Sequence, residues 1–263
     1  LLGGYSETGR RGRLPRTDVF RQERVPDGAG EQVMDYTDKN ILAIDCSSSE
    51  MKLGLQFGGD RLVKSSIRAE QTHSAEIIKG ISSLLDSANC KKSELDAIVV
   101  STGPGSFTGL RIAIACAKGM AIALGIPVVG VNLFEVAAYK LAGETEKIQV
   151  LLPFKKNAFF AAELSRGEII ESEITAVTAE EINDKSNCSP VAIIADAGQS
   201  ELLEDRDKIL ESSKTEYDAT ELIYLGIQKL SRNEIPDLAK LEPMYIQKSQ
   251  AEIKFEERQN RKS

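Results

Sequence analysis

Three places in this chain could do chemistry: Asp45, His73, and the segment Ser101-Thr102-Gly103-Pro104-Gly105-Ser106-Phe107-Thr108-Gly109-Leu110-Arg111. The third is the most informative. Its glycines and proline join a short β-branched run to an apolar helical run, and such a joint gathers free backbone N–H groups at a helix start, where anions bind. Gly103, Gly105, Ser106 and Thr108, taken together with Asp45, form a candidate anion or nucleotide loop. Arg111 is suited to pairing with a phosphate or with a partner's carboxylate. The spacing fits neither common nucleotide fingerprint: the Walker lysine is absent, and Gly103-x-Gly105-x-x-x-Gly109 misses the dinucleotide spacing by one residue. Two readings stay open, a phosphate cradle or a tight turn that presents a helix to a partner protein.

Asp45 ends the apolar run Ile41-Leu42-Ala43-Ile44 and is followed by Cys46-Ser47-Ser48-Ser49. The end of a strand is where an α/β fold places a carboxylate near a phosphate, a metal or a water nucleophile. An Asp that caps its own turn gives the same pattern, and this reading comes first. His73 is the only histidine. A helical HxxxH metal site needs a second His one turn on, and that position is Ile77. No G-x-S-x-G elbow accompanies His73, which reads as a helix-start residue rather than a catalytic base. No metal site is expected.

The elements that must hold these groups follow from periodicity. Residues 41–45 read as a strand, and 51–57 and 61–67 as a hairpin about Gly58-Gly59-Asp60. A helix follows over 73–88, with Ile77, Ile78, Ile81, Leu84 and Leu85 at helical spacing, then a strand over 95–100 and the apolar helix after the glycine loop. Strand 128–131 and helix 133–141 close this half. After polar residues at 143–146 the order restarts with strands over 148–152, 158–164 and 168–174. A helix begins near Thr178, whose hydroxyl caps it with Glu181 three residues on; a strand over 191–195 and a helix over 218–230 follow. The order βββαβα thus recurs in weaker form, with no residue-level repeat.

The chain has 263 residues, 41% of them hydrophobic, and a formal net charge of −7. That balance gives no general attraction to nucleic acid, so contact with RNA has to be local or supplied by another subunit. Cys46, Cys90, Cys116 and Cys188 are widely spaced with no CxxC, which suits buried thiols in a reducing compartment. The longest apolar run, 112–126, is interrupted by Lys118 and Gly119, so a cytoplasmic protein without a membrane span is expected. Residues 1–38 read as a disordered extension rich in arginine, and Met34 as the natural start; a native flexible arm is the alternative.

Four segments together resemble one family. They are Ile41-Leu42-Ala43-Ile44-Asp45-Cys46-Ser47-Ser48, Thr72-His73-Ser74 at a helix start, Gly103-Pro104-Gly105-Ser106-Phe107-Thr108-Gly109-Leu110-Arg111-Ile112, and Pro243-Met244-Tyr245-Ile246. In this order, over residues 40–252, the chain resembles the TsaB (YeaZ) family, which serves bacterial synthesis of the tRNA modification threonylcarbamoyladenosine. The GPGSFTGLR string is the specific part. Cys46 stands where Thr is usual, and Gln247 where Arg commonly follows the Tyr-aliphatic pair.

The resemblance implies an α/β, actin-like ATPase (ribonuclease H-like) fold of two related βββαβα subdomains, 39–142 and 143–240, with a C-terminal segment over 241–263. It implies no intrinsic catalysis and no intrinsic cofactor. The chain would activate TsaD, the catalytic paralogue that carries HxxxH, would join the ATPase TsaE, and would form a homodimer when TsaD is absent. ATP and metal would belong to those partners, and tRNA would be met only through the complex. The partner interface is placed on the helices starting near His73 and Phe107, at His73, Ile77, Ile81, Phe107, Leu110, Arg111, Ala115 and Gly119. Two other activities remain open: an independent ATP-dependent kinase using Asp45 as base, and a peptidase acting on TsaD.

Overall fold

Strand β1 (Ile41–Asp45) is buried along its whole length because both faces of its sheet are covered. Its side chains alternate: Ile41 and Ala43 enter one core and Leu42 and Ile44 the other. The computed structural model describes residues 35–68, 73–143, 147–165, 168–169, 174–184, 190–194, 199–204, 207, 209–244 and 246. β1 lies between β2 (Glu50–Phe57), antiparallel, and β4 (Ala97–Gly103), parallel. β3 (Arg61–Arg68) and β5 (Val128–Asn132) form the edges, giving the order β3-β2-β1-β4-β5.

Helices α1 (His73–Ser87) and α2 (Phe107–Leu124) cover one face of this sheet. Ile77, Ile81, Leu84 and Leu85 from α1, with Ala113, Ile114 and Ala117 from α2, meet Leu42, Ile44, Leu53, Ile98 and Val100. Burying one such Leu or Ile stabilises the fold by about 1.5–3 kcal/mol, so the face turned to the sheet decides each helix's rotation. α2 is long and apolar enough to cross a bilayer by length and composition alone. Here Leu110, Ala113, Ile114, Ala117 and Ala121 use that apolarity against the sheet. Gly125, at φ 69°, closes the helix in the left-handed conformation.

The second sheet repeats the plan. β6 (Ile148–Lys155) pairs antiparallel with β7 (Ala158–Ser165) and parallel with β10 (Val191–Ile193). The single third strand expected over 168–174 is divided. β8 (Glu168–Ile169) lies opposite the end of β7 and β9 (Thr175–Thr178) opposite its start, on the same edge. The fifth strand position is reduced to one parallel bridge between Val191 and Ile209. Together the sheets give an α/β fold of two related halves, the second abbreviated. Helix α4 (Ala179–Asp184) starts at the expected cap: the Thr178 hydroxyl accepts from Glu181 N, and the Glu181 carboxylate accepts from Thr178 N.

After α3 (Leu133–Lys140) and α5 (Ser212–Thr215), helix α6 (Ala219–Ser231), the last α-helix among the described residues, lies across the other face of the first sheet. Gly226 there faces Val99: a Cβ at that position would stand 2.2 Å from Val99 Cγ2. A helix late in the sequence thus shares a core with β1 and β4, together with side chains of β6 and β7. Met244 N donates to Thr102 O, which holds the Pro243-Met244 segment at the end of β4. Tyr245 lies outside the described residues.

Two expectations change at the chain's start and among its cysteines. Tyr36 is buried and Gln56 donates to Thr37 O, so residues 35–38 belong to the folded body rather than to the extension; residues 1–34 lie outside the described part. Cys46 is buried, but Cys90 and Cys116 are only half-buried, because they lie at the ends and flanks of helices rather than beneath them; Cys188 lies outside the described residues.

Candidate functional site

The glycine segment is a strand-to-helix joint seated on the turn after β1. Gly103 has φ 90° and its peptide to Pro104 is cis. Ser101 Oγ accepts from Gly103 N, and a Cβ on Gly103 would stand 2.5 Å from Leu110 Cδ1. Ser106 is the N-cap of α2, and its hydroxyl accepts from Gly109 N at 3.3 Å. Ser106 N donates to Ser47 O at 2.6 Å. Gly105 lies so close that a Cβ there would be 2.2 Å from the same carbonyl oxygen. Of the N–H groups expected to cradle an anion, those of Gly103, Ser106 and Gly109 are therefore engaged within the joint. Thr108 is exposed in the first turn of the helix.

Asp45 is fully buried behind this joint. Its Oδ2 accepts from the Tyr217 hydroxyl at 2.7 Å and its Oδ1 from Ser47 N at 2.9 Å; Ser47 Oγ lies 3.3 Å from the Tyr217 hydroxyl. Burial pushes the Tyr217 hydroxyl well above the ordinary tyrosine range, and the charge of Asp45 adds to this. Tyr217 therefore keeps its proton and donates it. Lys52 Nζ stands 4.2 Å from the Tyr217 ring centroid. Each Asp45 oxygen accepts one hydrogen bond from the protein, and the carboxylate is shielded from solvent. The Ser47 N contact is the self-capping turn that the sequence suggests; Tyr217, 172 positions away, carried no local signal.

In front of the joint a cavity of about 300 Å³ separates the two sheets. Ser47, Ser48, Ser49, Pro104 and Ser106 line one side, and Leu152, Pro153, Phe154, Lys155 and Ile194 the other. Phe154 is stacked on Phe160 with ring centroids 4.0 Å apart.

The residues expected to form a partner interface divide into two sets. Ile77, Ile81 and Leu110 are each 2% exposed and face the sheet, so they are core and not interface. The same helical spacing that marked them as a patch is what the sheet requires for its own cover. Phe107, Arg111, Ala115 and Gly119 lie on the outward side of α2, where the Arg111 guanidinium sits 3.9 Å from the Phe107 ring centroid. Two residues outside the expected set join them: Ile122 is 73% exposed, and Ile78 on the neighbouring α1 is 54% exposed. A large aliphatic side chain one position off the buried register was the available signal. His73 opens α1, and its side chain lies outside the described residues. Among the described residues no group of three His, Cys, Asp or Glu is placed to hold a metal ion.

Residues 65–185 match the family model described as TsaD, tRNA N6-adenosine threonylcarbamoyltransferase. The tRNA threonylcarbamoyladenosine biosynthesis protein TsaB of Haemophilus influenzae is 26% identical over 153 residues, covering 57% of this chain and 64% of that protein. The protein of the same name from Bacillus subtilis is 34% identical over 98 residues, covering 37% and 43%. Over these stretches the chain is similar to the TsaB (YeaZ) proteins. Its matches span less than two thirds of the length of these relatives. Among solved structures, YeaZ from Pseudomonas aeruginosa superposes with a TM-score of 0.61 at 24% identity, covering 79% of this chain and all of that one, which establishes a shared fold.

Proposed function

We propose that the chain takes part in tRNA threonylcarbamoyladenosine biosynthesis as a non-catalytic, activating subunit. In this reading a catalytic subunit of the TsaD kind transfers the threonylcarbamoyl group from threonylcarbamoyl-AMP to the adenosine beside the anticodon, and this chain binds and supports it. TsaE joins the assembly, and a second copy of the chain takes the catalytic subunit's place when that subunit is absent. The observation that carries the reading is the outward face of α1 and α2. Ile78, Phe107 and Ile122 are large apolar side chains left exposed on two adjoining helices, and Ala115 and Gly119 between Phe107 and Ile122 allow a partner helix to approach closely. The engagement of Asp45 by Tyr217 and Ser47 favours a supporting role over that of a kinase base.

Reconstitution tests this. Modification of tRNA by TsaD, TsaE and threonylcarbamoyl-AMP is expected to depend on adding this chain and to fall when Ile122→Asp or Ile78→Asp replaces it. Undiminished modification without the chain overturns the reading. ATP binding by the isolated chain, abolished in Asp45→Asn, would support the kinase instead.

A further inference from the structure

We infer that Tyr217 is a positioning residue for the start of α2, acting through Asp45, Ser47 and Ser106. The inference rests on the docking role proposed above for the outer face of α2, and it names what in the chain holds that helix in place. The connection is continuous and each link is short. The Tyr217 hydroxyl donates to Asp45 Oδ2 at 2.7 Å; Asp45 Oδ1 accepts from Ser47 N at 2.9 Å; Ser47 O accepts from Ser106 N at 2.6 Å. Ser106 in turn caps α2 through Gly109 N, and its carbonyl accepts the Leu110 N–H. Tyr217 stands immediately before Asp218, the N-cap of α6. The chain of bonds therefore joins the start of α6 to the start of α2 on the opposite face of the first sheet.

Three features distinguish this from ordinary filling of a core. First, the hydroxyl is engaged twice, by Asp45 and within 3.3 Å of Ser47 Oγ, where a phenyl ring would fill the space equally well. Second, Asp45 is wholly buried, so without the hydroxyl its Oδ2 loses its donor in a site shut off from bulk solvent. Third, the last contact has no slack, since Gly105 packs on the Ser47 carbonyl as tightly as backbone allows. Displacement of the Asp45–Ser47 turn must then move Gly105 and Ser106, and with them the Phe107 and Arg111 pair on the first turn of α2.

The experiment is site-resolved amide hydrogen exchange on the full chain with Tyr217→Phe, alongside titration with the catalytic subunit. Exchange at Gly109 and Leu110 is expected to speed up about tenfold, a change of the size that one hydrogen bond makes to local opening, while the second half of α2 keeps its rate. Affinity for the catalytic subunit is expected to fall severalfold. Asp45→Asn, which preserves shape and can still accept from Ser47 N, serves if Tyr217→Phe folds poorly; it is expected to give a smaller change at the same two amides. Combined with Tyr217→Phe it should add less than its separate effect. Unchanged exchange at Gly109 and Leu110, equal acceleration throughout the chain, or additive effects of the two variants overturns the inference. Local acceleration with full affinity leaves the positioning role standing and counts against the docking surface instead.

Discussion

Replacing Gly105 with alanine tests the joint between β1 and α2 most directly. The new Cβ would fall 2.2 Å from Ser47 O, 2.8 Å from Ser47 Cβ and 2.9 Å from Ser47 C. All but one of these are backbone atoms of a turn fixed by Asp45, so no flexible side chain can swing aside. Relief requires the loop to lift, which stretches the 2.6 Å bond from Ser106 N to Ser47 O. Overpacking costs about 1–3 kcal/mol and the weakened hydrogen bond about 1 kcal/mol. The lower entropy of the unfolded alanine chain returns about 0.4–1 kcal/mol. A net loss of about 1–3.6 kcal/mol is expected, measured by urea denaturation with an unchanged slope. Gly119→Ala is the matched control, because a Cβ there meets nothing within 4 Å. In an exposed helix interior it should stabilise by up to about 1 kcal/mol. A Gly105→Ala variant within about 0.5 kcal/mol of the parent would refute the tight seating of the loop.

Other substitutions address the remaining structure. Ile122→Asp on the outer face of α2 should leave urea stability within about 0.5 kcal/mol and yet weaken association with the catalytic subunit at least about tenfold by calorimetric titration, as loss of a central apolar contact does. Gly226→Ala drives a Cβ into Val99, so it should destabilise by about 1–2 kcal/mol after the helix-propensity gain, and Val99→Ala in the same chain should recover part of that loss. At half-exposed Asp218, desolvation raises the carboxyl's pKa, but the bonds from Lys64 and Thr220 outweigh it and the net shift is downward. A carboxyl lowered in the folded state stabilises above its unfolded value of about 3.9, and that contribution is lost as pH falls through the depressed folded value. Lys64→Met should therefore reduce stability at neutral pH and flatten the acid limb of a stability-against-pH curve.

Much of the first half was legible because its signals are local. The run Ile41-Leu42-Ala43-Ile44 has the character of a strand buried on both faces, Gly58-Gly59-Asp60 turns a hairpin, and Ser106 with the glycines starts a helix. The same local rules misjudged Ile77, Ile81 and Leu110, since an apolar stripe looks identical whether it covers the chain's own sheet or a partner. The exposed pair Ile78 and Ile122 became visible only once the sheet had claimed the other face of each helix. Nothing local to Tyr217 points to Asp45, because that contact depends on where α6 crosses the first sheet. In the second half, β10 has only three residues and the fifth strand is a single bridge, too little for periodicity to register.

The contacts of Asp45 account for its place in the fold. In a two-lobed fold with a cavity between the lobes, a carboxyl at the end of the first strand is placed to face a ligand in that cavity. Here the polypeptide itself meets the carboxyl, with Ser47 N on one oxygen and the Tyr217 hydroxyl on the other, while the serines of the same turn line the cavity. Once both oxygens are committed, Asp45 serves best as a rigid anchor, and its rigidity passes through Ser47 to the glycine loop. Three donors of the loop, the N–H groups of Gly103, Gly109 and Ser106, are committed in the same way, to Ser101, Ser106 and Ser47. These contacts tie the start of α2 to the turn after β1. The same helix start keeps Phe107 and Ile122 on the side turned away from the sheet, the side the proposed docking role uses.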